Sequence, residues 1–150
     1  MSDVGAAIDA LIASVIEATA KATMDGAMLV KSLAQAEAPH KTGRLAGSID
    51  VTGPGPTGSA SFEALVGPTV VYGRLRELGG WIPGGASPQP KPPGKRDWLH
   101  WVDEAGNGHF SKLVYQTGRP YLKPAVEGAE LRFRSILANR VGDAIRFSTY

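Results

Sequence analysis

The stretch APHKTGRL at residues 38–45 lies where a long helical pattern gives way to strand-like sequence. Pro39 cannot extend a helix, and it biases Ala38 away from the α region. Gly43 supplies a permissive backbone just before the strand-like residues begin. A second stretch, GRPYLKPA at residues 118–125, marks a later boundary, since its two prolines preset φ near helical values ahead of an amphipathic run. The two stretches therefore predict the two corners at which a long helix meets strand-like sequence.

Two long amphipathic helices are predicted outside these corners. From Val4 to about Ala36, apolar residues recur at spacings of three, four and seven, which describe one face of a helix. Around Gly26 a bend, or a division into two helices, is expected because glycine costs about 1 kcal/mol relative to alanine in a helix interior. A second helical pattern runs from about Leu122 to Phe147, with acids near its start and arginines near its end, as the helix dipole favours.

The residues between the helices predict a small antiparallel sheet. Four segments have strand-like apolar patterns: 48–52, 60–66, 98–102 and 110–115. A Gly/Pro turn at 53–58 joins the first two, and Asn107-Gly108, the strongest short hairpin signal, lies between the last two. Residues 70–78 fit either a short strand or a helical turn. The chain is therefore expected to form one α+β domain, 1–150, with about four antiparallel strands flanked by a long N-terminal helix and a C-terminal helix.

A Pro- and Gly-rich loop, PGGASPQPKPPGKR at 83–96, interrupts this sheet. It has no large apolar side chain and so cannot bury enough surface to offset its ordering entropy. We expect a flexible arm that carries Lys91, Lys95 and Arg96. Within it, PKPPGK matches a polyproline ligand pattern, although Pro-rich loops often meet such a short pattern by composition alone.

Catalytic and metal chemistry finds little support in the residue patterns. The chain has no cysteine, and its three histidines lack the spacing of HxxxH or HExxH sites. No Gly-x-Ser-x-Gly elbow occurs, and no pair of acids has a spacing suited to general acid and base work. The GxGxxG string at 53–58 is interpreted as a turn, because Pro54 and Pro56 remove N–H donors and a strand follows. We expect no catalytic residue, no cofactor and no metal.

The predicted hairpin holds polar residues with structural interpretations. His100 and His109 are expected to form a cross-strand pair. Asp103 and Glu104 are interpreted as solubilising charges at the edge of the turn. One of the two tryptophans on the first arm, Trp98 or Trp101, is expected in the core.

The net charge of +2 is too small to make nucleic-acid binding the first interpretation, despite a pI of about 9.0. A small nucleic-acid-binding module stays as the alternative, because the basic loop lies near three tryptophans and single strands are bound by stacking and phosphate neutralisation. Residues 1–37 hold five acids and two bases, which suits head-to-tail contacts between copies or a solvated face. With no signal peptide or membrane span expected, the chain is predicted to stay in the cytoplasm where it is made.

Three motifs in order resemble the tail-completion, or tail-terminator, family of long-tailed bacteriophages. Residues 38–49 are similar to its APxxTGxLxxSI signature, residues 72–79 to its YxxxxExG segment, and residues 118–125 to its xRPFLxPA segment, with Tyr121 where phenylalanine is commoner. The resemblance implies a structural virion protein of the phage neck and not an enzyme. Such a protein forms a ring, six-fold or twelve-fold, that joins the DNA-filled head or connector to the tail tube.

The resemblance also implies partners: further copies of the chain, connector or stopper proteins, the tail-tube protein and, non-specifically, the DNA in the lumen. Nine residues are the expected assembly cluster: Thr42, Gly43, Arg44, Leu45, Tyr72, Glu77, Arg119, Pro120 and Tyr121. We predict that Arg44 or Arg119 lies near Glu77, since a bidentate arginine–carboxylate pair fixes geometry. Alternatively, Thr42 and Gly43 only shape a turn and Arg44 points to water.

Overall fold

The computed structural model describes residues 2–39, 43–83 and 98–147. The chain divides into two compact units, one made of Met1–Gly73 with Pro120–Tyr150 and the other of Arg74–Arg119. Thr42 and its two preceding residues lie outside the described residues. So does the predicted arm at 83–96, apart from Pro83.

The first unit is built on α1 (Ser2–Glu37), which is one unbroken helix, so the predicted division into two helices at Gly26 is wrong. The missing side chain of Gly26 instead gives room to a neighbour, because a Cβ there would lie only 2.7 Å from Cε2 of Phe133. Phe133 belongs to α4 (Leu122–Phe147), the predicted C-terminal helix. The glycine is therefore a packing site between two helices.

Between the two long helices, the first unit contains α2 (Arg44–Gly47), β1 (Ile49–Pro56) and β2 (Phe62–Pro68). The strands pair antiparallel, with a register shift between Thr52 and Gly55. Gly53 lies at this shift with φ +109°, and a Cβ on it would meet the Glu63 carbonyl oxygen at 2.8 Å. The predicted strand pair is confirmed, but β1 runs on into the segment expected to be the turn.

Alanines dominate the core of the first unit. The buried side chains of α1 are all alanines, at positions 18, 22, 27 and 34. Small side chains let α4 and the β1–β2 pair approach the helix closely. The larger buried residues, Leu45, Ile49 and Tyr121, lie in one cluster together with Ala34, Ala38 and Ala125.

The second unit is made of short elements. They are α3 (Gly73–Leu78), β3 (Gly79–Pro83), β4 (Leu99–Val102), β5 (Gly108–Ser111) and β6 (Leu113–Thr117). The segment that fits a strand or a helical turn is thus mainly the helix α3. The single strand predicted over 110–115 is divided, because the Ser111 hydroxyl donates to the Leu113 carbonyl oxygen and accepts from the Leu113 N–H, which turns the chain.

The mixed architecture of a long N-terminal helix, a C-terminal helix and small antiparallel sheets is confirmed. The expected sheet of about four strands differs from the described residues, which form three separate two-stranded sheets, β1–β2, β3–β6 and β4–β5. Prolines inside β1 and at the end of β3 lack the N–H that a further strand would need. Among the described residues, no helix combines the length and the apolar character that a bilayer crossing requires.

Candidate functional site

Two of the three motifs meet in the core of the first unit. The Tyr121 side chain is fully buried in the cluster that also holds Leu45 and Ile49. Leu45 lies on α2, which follows directly from Gly43 with its left-handed φ of +68°. The Tyr121 hydroxyl donates to the Gly73 carbonyl oxygen at 3.4 Å. An aromatic ring from residues 118–125 thus packs in one cluster with α2 and the start of β1.

The second motif, residues 72–79, contacts Gly118 and Arg119 within the second unit, backbone against backbone. Gly79 has φ +75°, and a Cβ on it would lie 2.6 Å from the nitrogen of Gly118. A Cβ on Gly118 would lie 2.8 Å from the Glu77 carbonyl oxygen. Next to this contact, the Arg119 N–H donates to the Arg76 carbonyl oxygen at 2.7 Å. Only glycine permits this approach at both positions.

The remaining residues of the predicted assembly cluster are distributed over both units. Arg44 is exposed and begins α2 in the first unit, where Tyr72 lies half-exposed in the turn before α3. Glu77 and the exposed Arg119 belong to the second unit, where the backbone bond to Arg76 brings their segments together. The pairing of an arginine with the Glu77 carboxylate stays a prediction. Pro120 is exposed, and Thr42 lies outside the described residues.

Asp103 organises the hairpin turn instead of only solubilising it. Its carboxylate accepts hydrogen bonds from the N–H groups of Ala105 and Asn107, from the Asn107 side-chain amide and from Nε2 of His109 at 2.9 Å. These donors, His109 first among them, lower the pKa of Asp103 to about 2. The residue therefore holds the turn in the manner of an Asx turn.

The two hairpin histidines do not face each other, so the predicted cross-strand pair is wrong. In the register of β4 and β5, His100 lies opposite Phe110 and Trp101 lies opposite His109. The His109 ring stacks on Trp101 with centroids 5.2 Å apart. Because neighbouring residues of a strand point to opposite faces, the two histidines lie on opposite faces of the hairpin.

The geometry of residues 2–39, 43–83 and 98–147 shows no metal centre. No group of three or more histidine or carboxylate side chains there is disposed to hold a metal ion. A groove of about 490 Å³ lies between α1, β2 and α4, with Val30, Val66 and Phe133 among its apolar walls. Its carboxylates, Glu127 and Glu130, each lie within 4.0 Å of a cation one turn away on α4, Lys123 and Arg134 respectively.

The surface of the second unit is rich in exposed aromatic and aliphatic side chains. None of its described residues is buried, and Trp81, Phe110 and Tyr115 are each more than half exposed. Trp98 and Trp101 are also exposed, contrary to the prediction that one is a core residue. A two-stranded sheet is at best marginally stable alone in water, and exposed apolar patches mark interaction sites. Only the three-dimensional arrangement reveals that these side chains are exposed.

Comparisons with protein-family models, with curated proteins and with solved structures yield no match for this chain. Function must therefore be inferred from the motifs, their contacts and the chemistry of the exposed surfaces.

Proposed function

We propose that this chain is a structural subunit of the neck of a tailed bacteriophage, where it forms a ring between the DNA-filled head or connector and the tail tube. It would serve there as a tail terminator or as one layer of the head–tail connector. The ring acts through contacts between subunits and with the connector or stopper and tail-tube proteins. No chemical step is needed for that task.

One observation carries the proposal, namely the convergence of the three motifs on residues 118–125. Tyr121 packs against Leu45 of the first motif, and Gly118 lies against Gly79 of the second. Chance matches in a chain of this length have no reason to contact one another. Both contacts also depend on residues that the motifs specify, the buried aromatic ring at Tyr121 and the glycine at Gly79, which lets two backbones approach.

The exposed apolar surface supports an assembling subunit. The described part of the second unit has no buried residue, and each unit leaves large apolar side chains in water. A ring subunit needs two different surfaces that meet head to tail, and burial of such side chains is the main favourable term in association. The same surface would be a liability on a chain that acts as a monomer.

The alternative, a small nucleic-acid-binding module, has less support from the aromatic residues. Lys112 lies over the Trp98 ring with its Nζ 5.4 Å from the centroid, and His109 stacks on Trp101. One face of each ring is therefore already covered, whereas single-strand binding needs open aromatic faces for the bases. DNA in the lumen of a ring would need only non-specific, salt-sensitive contact.

Native mass spectrometry of the full chain, with and without the tail-tube protein of the same phage, tests the proposal. We expect a closed oligomer of six or twelve copies in at least one of the two samples. A persistent monomer in both would contradict it. The nucleic-acid alternative predicts instead a monomer that binds an oligonucleotide with an affinity that falls steeply between about 50 and 200 mM salt.

A further inference from the structure

The first turns of α1 extend past the end of α4. Gly26 lies against Phe133 and Leu33 lies near Gly128, so the two helices run antiparallel. Each helix rises about 1.5 Å per residue, which places Phe147, the last described residue of α4, level with about residues 12–14 of α1. Within the described residues, α4 therefore covers none of the first three turns of α1.

This uncovered part of α1 carries an apolar stripe. Val4, Ile8 and Ile12 follow one another at intervals of four, so they share one face of the helix. Their exposed fractions are 66%, 53% and 51%. The stripe continues the face that α4 covers further along the helix, and nothing among the described residues protects it from water.

The outward side of α4 carries a second stripe. Leu131, Ala138 and Ile145 recur every seven residues, so they lie on one face of the helix, and all three are exposed. The opposite face of α4, with Ala129 and Phe133, packs against the rest of the first unit. A spacing of seven is the pattern by which one helix packs along another.

The charges around the two stripes have opposite signs. Residues 2–17 of α1, named here the acidic arm, contain Asp3, Asp9 and Glu17 and no lysine or arginine. Residues 131–147 of α4, named here the basic face, contain four arginines and one aspartate. Among the described residues, no ion pair is made by Asp3 or Asp9 on the arm or by Arg132 or Arg146 on the face.

We propose that the acidic arm of one copy packs along the basic face of the next copy. Two arms pairing with each other would set acid against acid, and two basic faces would set arginine against arginine, so the charges favour arm on face. Such a contact is heterologous, because each copy uses its arm once and its face once, and repetition of the contact can close a ring. The closing of that ring rests on the proposed function, whereas the contact itself rests on the two helices.

Sedimentation equilibrium of the full chain over a range of concentrations tests the contact. One variant combines Asp3→Lys with Asp9→Lys, a second combines Arg132→Glu with Arg146→Glu, and a third carries all four changes. The matched control for the first variant is Glu63→Lys with Glu104→Lys, which makes the same change of net charge at exposed positions elsewhere. Ile8→Asp tests the apolar stripe by itself, and far-UV circular dichroism verifies that every variant keeps its helices.

We expect each double variant, and Ile8→Asp, to raise the dissociation constant at least about tenfold, because like charges or a buried carboxylate would then lie in the contact. The variant with all four changes restores the charge match and should return to within about threefold of the wild type. If the double variants match the control, or the fourfold variant fails to recover, the contact is overturned while the ring stands. A wild-type chain that stays monomeric throughout, with and without the tail-tube protein, overturns both.

Discussion

Replacing Tyr121 tests how far one buried ring holds the first unit together. Its side chain has no exposed surface, and it lies in one cluster with Leu45 and Ile49 from the first motif and Ala125 from α4. Removing a buried aromatic ring costs about 3–5 kcal/mol, from lost burial and from the cavity left behind. The neighbours include several alanines, which have no side-chain reach to refill the space, so Tyr121→Ala should fall at the upper end of this range.

Tyr121→Phe separates the ring from its hydroxyl. The hydroxyl donates to the Gly73 carbonyl oxygen at 3.4 Å, which is long for an O–H···O bond. A bond of this length contributes at most about 1 kcal/mol, well below the cost of removing the ring, so Tyr121→Phe should lower the free energy of unfolding by clearly less than Tyr121→Ala.

Urea unfolding followed by far-UV circular dichroism gives the free energies, since α1 and α4 dominate the helical signal. Leu65→Ala is the matched control, because Leu65 is 63% exposed and its removal should cost little. A Tyr121→Phe variant as unstable as Tyr121→Ala would refute the assignment of the stability to the ring. So would a loss in Tyr121→Ala no larger than that of the control.

Two further predictions concern glycine packing and the hairpin turn. Gly26→Ala should lower the free energy of unfolding by about 1 kcal/mol or more despite alanine's better helix propensity, because its Cβ would overlap the Phe133 ring. Gly128→Ala should raise the free energy of unfolding by about as much, because the nearest contact of its Cβ is 3.9 Å away. Urea titrations that show the same sign for both variants would contradict this. The pKa of Asp103 in the folded chain, about 2, lies below its ordinary value of 3.8, so the stability it contributes is present above about pH 4 and is lost as the pH falls toward 2. An NMR titration of the Asn107 amide should show this low midpoint, and His109→Ala should move it upward; an ordinary midpoint in the wild type would exclude the hydrogen-bonded turn.

Residues with strong local signals were predictable from the sequence. The extent of α4 follows from its apolar spacing and from the prolines before it, and the β4–β5 hairpin follows from Asn107-Gly108. The segment 70–78 stayed open between strand and helix because its short apolar run fits both periods. At Gly26 the local rule failed, because the cost of glycine in a helix is outweighed by the ring that its missing Cβ admits.

The sequence by itself determined the two long helices, the hairpin and the end of α1 next to Pro39, because spacing, proline and glycine act on the backbone within a few residues. Only the tertiary structure decided that Tyr121 joins Leu45 and that Gly118 lies against Gly79, since contacts between distant segments depend on how the elements pack. It likewise decided which apolar residues stay in water. Val4, Ile8 and Ile12 have the pattern of a core stripe, and they are exposed because the described residues of α4 end about level with Ile12.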